Sequence, residues 1–155
     1  MDTIEKDYNE LIKKHKLPSF AKLDEEFEIR ALEENRSGRP IKAIIRVIAG
    51  RLRNFLESLD AIVNPNPNSA YSMLAVNGLS NKTKEDIFEF YKKLAALYQK
   101  CALYELEGDE QTAKFIKDFW KQWPKLKEIE KRFLKEIIKT WDNKEEKESK
   151  SGYHG

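Results

Sequence analysis

The sequence predicts an all-α protein, a single compact irregular helical bundle or orthogonal array of six to seven helices, and three observations lead there. Apolar residues recur every three or four positions through most of the chain, the spacing of one buried helix face. Proline, glycine and asparagine clusters divide that pattern into pieces of globular length, which argues against a continuous coiled coil. The composition, 40% hydrophobic and 36% charged, suits a helical core with a densely charged exterior and lies far from that of a disordered chain. A chain of 155 residues is the size of one domain. Residues 1–141 are expected to form it, and residues 142–155, where the apolar pattern stops, to form a charged, disordered tail.

The first helix rests on Ile4, Tyr8, Leu11, Ile12 and His15 and should stop before Pro18, because the residue preceding a proline is pushed out of the helical region. Ser19 is a candidate cap for a second helix with Phe20, Leu23, Phe27 and Ala31 inward, ending near the turn-forming run Asn35-Arg36-Ser37-Gly38. Pro40 suits the first turn of a third helix, where its missing N–H would have no partner. The strongest pattern follows: Ile41, Ile44, Ile45, Ile48, Leu52, Phe55, Leu59 and Ile62 form one long stripe, widened by Ala43, Val47 and Leu56. Gly50 interrupts it at a cost of up to ~1 kcal/mol in helix propensity. A close approach by a neighbouring helix is the expected reason for a glycine there.

The run Asn64–Ser69 contains Pro65 and Pro67 and must be a loop. A short helical segment, Ala70–Val76, follows it. Asn77-Gly78 lacks flanking strand alternation and therefore predicts a helix C-cap rather than a hairpin turn. The next helix starts at Asn81 or Thr83 and carries Ile87, Phe90, Tyr91, Leu94, Leu97, Tyr98, Cys101, Ala102 and Leu106. After a turn at Gly108 and Asp109, Ala113, Ile116, Phe119, Trp120 and Trp123 make another helical face. Pro124 either kinks that helix or begins a new one, whose stripe is Leu126, Ile129, Phe133, Ile137 and Trp141.

Several function classes find no support in the residues. With 29 basic and 27 acidic residues the net charge is only +2, so an argument for nucleic acid or an anionic surface has to be local. The lone Cys101 cannot form an intramolecular disulfide, the N-terminal residues do not read as a signal peptide, and no run approaches the ~20 apolar residues of a membrane span. A cytoplasmic protein without a membrane association is the resulting expectation. His15 and His154 are the only histidines, and zinc, di-iron, phosphate-loop, dinucleotide and nucleophile-elbow patterns are missing, so no cofactor, metal or catalytic set is expected. Cys101 lies on an apolar face and reads as a small buried side chain. Glu105 and Glu130 lie on or near apolar seams. A buried acid paired with Asp86 or Glu89 is the arrangement that would favour enzyme chemistry.

Charge is segregated in one place. Residues 24–34 hold six acids against Arg30 alone, and Arg36, Arg39, Lys42, Arg46, Arg51 and Arg53 then follow before the next acid at Glu57. A hairpin of the second and third helices would pair these along its rim. Left open to solvent, the same residues make a recognition face: Arg39, Lys42, Arg46, Arg51 and Arg53 are the candidate interaction residues, with Trp141 as a further aromatic candidate at the end of the folded region. The function expected from this is a non-enzymatic protein-interaction or scaffolding module with a protein partner. The alternative is an accessory nucleic-acid-binding protein that uses the arginine-rich helix against DNA or RNA phosphates.

Overall fold

The computed structural model describes the backbone of residues 3–30 and 40–151 and the side chains of residues 5–30 and 40–142. Among the described residues there are six helices and no strand: α1 (Thr3–His15), α2 (Phe20–Phe27), α3 (Pro40–Val63), α4 (Ala70–Gly78), α5 (Asn81–Glu105) and α6 (Asp109–Ser151). The protein is an all-α helical bundle. Pro124 lies inside α6, so of the two alternatives at this proline the chain takes the one that continues as a single helix. Residues 31–39, with Ala31, the expected Asn35–Gly38 turn and Arg39, lie outside the described residues, as do the side chains of the expected tail beyond Asp142.

Local chemistry explains the ends of the elements. Lys16 adopts φ 55° after α1 and returns its N–H to Ile12 O at 2.8 Å. Ser19 caps α2 by accepting from the Lys22 N–H. That helix ends earlier than its apolar pattern suggests, because Glu28 takes the left-handed conformation (φ 54°), donates to Asp24 O, and Asp24 Oδ1 then takes the Arg30 N–H at 2.7 Å. Ser69 caps α4 through the Ser72 N–H, and Ser80 accepts the Thr83 N–H at the start of α5.

The chain divides into two compact units, each built from parts of α3, α5 and α6. The first comprises residues 1–53 and 96–124. Its core joins Tyr8, Leu23, Phe27 and Ile29 to Ile41, Ile44, Ile45, Ile48 and Leu52 of α3 and to Ile116 and Phe119 of α6, all 2% exposed or less. Phe27 is the hub of an aromatic cluster, with its ring centroid 5.4 Å from Trp123, 6.1 Å from Trp120 and 6.3 Å from Phe119. Trp123 Nε1 donates to Glu26 at 2.8 Å, so the indole enters the core without losing its hydrogen bond.

The second unit comprises residues 54–95 and 125–155. Leu59, Ile62, Ala75, Ile87, Phe90, Leu94, Leu126, Phe133 and Ile137 are buried in it. The α6 stripe here is rotated from the expected one. Its buried positions are Leu126, Glu130, Phe133, Ile137 and Thr140, whereas Ile129 and Trp141 are half-buried. Gly78 is not a left-handed cap. It lies within α4 against α6, where a Cβ would come 2.5 Å from Thr140 Cβ.

Candidate functional site

The arginine-rich helix α3 is where sequence reasoning placed the recognition face, and the structure divides its residues among three environments. Lys42 is 5% exposed and does not belong to that face. Its Nζ donates to Tyr104 O at 2.6 Å, to Thr112 Oγ1 at 3.0 Å and to Glu107 O. Thr112 Oγ1 in turn lies 2.8 Å from Tyr104 O and 3.0 Å from Gly108 O. The last turn of an α-helix leaves carbonyls without intrahelical donors and carries partial negative charge. Lys42 supplies donors at the end of α5, which is why it is buried although it carries a cationic head.

Arg46 and Arg51 stay at the surface and are paired. Arg46 Nε donates to Glu105 Oε1 in a short contact, and Arg51 reaches Glu28 at 3.7 Å. Glu105 therefore faces an arginine, not a second carboxylate. Arg51 joins the acidic run as the rim pairing requires, while Asp24 is held by Arg30 from within that run. Exposed pairs of this kind contribute about 0–1 kcal/mol each, so they neutralise charge more than they stabilise the fold.

Between α3 and α5 in the first unit lies a shallow groove of about 210 Å³. Arg46, Ala49, Gly50 and Arg53 line it from α3, and Tyr98, Cys101, Ala102 and Glu105 line it from α5, both sets at the three-and-four spacing of one helix face. Gly50 does not receive a neighbouring helix. A Cβ built on it meets nothing within 4 Å, so the glycine opens the floor of this groove instead of tightening a contact. Arg46 and Arg53 stand two helical turns apart on either side of it, about 10 Å along the axis.

Cys101 is 1% exposed, and burial, with a smaller contribution from the negative charge of Glu105, pushes its thiol up to about 12. At neutral pH it is a thiol and an apolar wall of the groove, not a nucleophile. Among the described residues no group of three or more His, Cys, Asp or Glu side chains could hold a metal ion.

Trp141 is half-buried in the second unit and stacks on Tyr71 at 5.3 Å with an interplanar angle of 28°. Tyr71 remains 55% exposed and Ile138, one turn before Trp141, 58% exposed. The structure thus brings Arg46 and Arg53 together at one groove, turns Lys42 inward, gives Arg51 to Glu28 and sets Trp141 in the other unit. Arg39 lies outside the described residues.

Glu130 is the residue whose role the sequence only hinted at. It is buried, and its partner is Ser58 of α3, not Asp86 or Glu89, which pair with Lys82 and Lys92. The signal was present in its register: Glu130 follows Leu126 by four residues and precedes Phe133 by three.

No helix among the described residues is long and apolar enough to cross a membrane. Comparison with known proteins found no matching family model, no matching curated protein and no matching solved structure.

Proposed function

We propose that this protein is a non-enzymatic interaction module whose α3–α5 groove receives an acidic helical segment of a partner protein. The observation that carries the reading is the open floor at Gly50 between Arg46 and Arg53. Small residues at Ala49, Gly50 and Ala102 allow a helix backbone to approach closely. The two guanidiniums match carboxylates seven residues apart on the incoming helix, and arginine suits such contacts because its planar fork binds carboxylate bidentately. Glu105 gives Arg46 an internal carboxylate that a partner's carboxylate would replace.

A phosphate-reading face is less well supported. Lys42 is committed to the end of α5, and Arg46 and Arg51 already have acidic neighbours, so the sequence's run of cations does not translate into an unbroken basic stripe. The test uses a labelled amphipathic peptide with Glu at two positions seven apart and alanine between them, measured by fluorescence anisotropy at 50 and 200 mM salt. Its Lys-substituted twin and a DNA duplex serve as the comparison probes. Gly50→Leu, whose Cβ meets nothing within 4 Å, puts bulk into the groove and should weaken peptide binding at least tenfold, as should Arg46→Ala with Arg53→Ala. Equal binding of the Lys twin, or Gly50→Leu behaving as the parent, would overturn the reading. Duplex binding lost with the two arginines would transfer it to nucleic acid.

A further inference from the structure

The buried polar side chains of the second unit are Ser72, Glu130 and Thr140 among the described residues. Two of them are hydrogen-bonded in an ordinary way. Ser72 Oγ donates to Ala61 O at 2.8 Å and accepts the Asn66 N–H at 2.9 Å, and Thr140 Oγ1 donates to Ile137 O at 2.6 Å. Glu130, only 3% exposed, is different. Its Oε1 shares a short hydrogen bond with Ser58 Oγ, and its Oε2 is buried with no hydrogen-bond partner.

Counting protons shows which form of the acid this site fits. Ser58 Oγ lies 2.7 Å from Phe55 O as well as against Glu130, and a hydroxyl has one proton to give. When Glu130 is protonated, its O–H donates to Ser58 Oγ and the Ser58 O–H donates to Phe55 O, so each donor has its own acceptor. When Glu130 is ionised, the Ser58 proton must turn to the carboxylate, and Oε2 becomes a buried anionic oxygen without a donor. A buried carboxylate with one hydrogen bond, a bare second oxygen and no counter-ion is disfavoured against its neutral form.

The surrounding charges do not relieve it. On α3, Glu57 and Asp60 are exposed, and Asp60 Oδ1 accepts from Asn64 Nδ2 at 2.8 Å. On α5, Lys82 pairs with Asp86 and Lys92 with Glu89, while Lys84, Glu85 and Lys93 are exposed or half-buried. Helix α4 carries no charged residue. On α6 itself, Lys127 is half-buried one turn before Glu130, Lys131 and Arg132 are exposed, and Glu136 pairs with Lys139. The influences that set the state of the carboxyl are burial, which raises it to about 7, and the Ser58 hydrogen bond, which opposes that rise.

We propose that Glu130 is a proton-operated latch: the second unit packs with this carboxyl protonated on Ser58, and loss of the proton loosens the seating of α6 on α3. A protein with this device changes the stability of the second unit as pH rises towards and through neutrality.

The primary measurement needs no variant. Carbon-13 carboxyl shifts of the full-length chain, followed from pH 4 to pH 9, should show one glutamate titrating near 7. Native-state amide exchange corrected for the intrinsic rate should show protection of residues 58–62 and 126–137 falling about thirtyfold between pH 5.5 and 8.5, the ratio set by acid constants near 7 packed and 4.5 open. Protection around Leu23 and Ile48 should not follow that curve. Glu130→Gln keeps a neutral donor against Ser58 and should abolish the pH dependence at residues 58–62 and 126–137. A Glu130 carboxyl titrating near 4, or a Glu130→Gln variant whose protection falls with pH as the parent's does, would overturn the proposal.

Discussion

Lys42 in the first unit and Glu130 in the second are both ionisable side chains withdrawn from water, and their surroundings treat them in opposite ways. Three acceptor oxygens converge on the Lys42 head, one for each N–H of an ammonium group. One hydroxyl faces Glu130 and one of its oxygens has nothing. The charged form of the lysine is therefore the form its site fits, whereas the site of the glutamate fits the neutral form. Burial alone does not decide whether an ionisable group is structural or responsive. The number of complementary partners does.

The aromatic cluster of the first unit sets the upper end of the scale against which that contrast is measured. Phe27→Ala removes the ring that touches Phe119, Trp120 and Trp123 and should cost about 3–5 kcal/mol in urea unfolding followed by tryptophan fluorescence. Lys42→Met keeps the length of the side chain but leaves the carbonyls of Tyr104 and Glu107 without its donors. A loss of about 2–4 kcal/mol is expected, equal at pH 5.5 and pH 8. A loss that varied with pH would mean that Lys42, too, titrates in this range and would remove the contrast.

Glu130→Gln sharpens the contrast from the other side. The folded carboxyl is raised to about 7 from 4.5, so the stability it contributes is fully present below about 4.5 and is lost as pH rises through 7. The variant should accordingly unfold at higher urea than the parent at pH 8.5, by up to about 3 kcal/mol, and lose that advantage towards pH 4.5. Gly78→Ala should cost about 1–3 kcal/mol, because the new methyl would meet Thr140 Cβ at 2.5 Å and both atoms lie close to their helix backbones. Arg46→Ala is expected to change stability by less than about 1 kcal/mol, since its pair with Glu105 is solvent-exposed.

The helices themselves were legible in the sequence because helix periodicity is a property of one segment. Ile41–Ile62 marks α3 to within a residue at each end, and Ser19 caps α2 as its position suggests. What failed to show were facts that depend on two segments. Lys42 sits on a helix whose other cations are exposed or half-buried, and only the end of α5, some sixty residues later, explains why it is buried. Gly50 carries the same loss of propensity whether it meets a helix or empty space. Hydrophobicity places Ile129 and Trp141 on the α6 stripe beside Leu126, Phe133 and Ile137, but one hydroxyl at Ser58 and the close approach of Gly78 make room for Glu130 and Thr140 on the inward side. The early end of α2 depends on Glu28 accepting a left-handed conformation, which glutamate composition does not announce.

The bonds of Lys42 also bear on the order in which the chain acquires structure. A cap such as Ser19 on α2 forms with its own helix, since donor and acceptor are three residues apart. The donor at the end of α5 comes from 62 residues earlier in sequence. Closing a loop of that length costs chain entropy that local capping does not. The last turn of α5 therefore gains this partner only when α3 has docked, and a fragment lacking α3 would leave the turn into α6 without the Lys42 donors and with local hydrogen bonds such as those from Thr112.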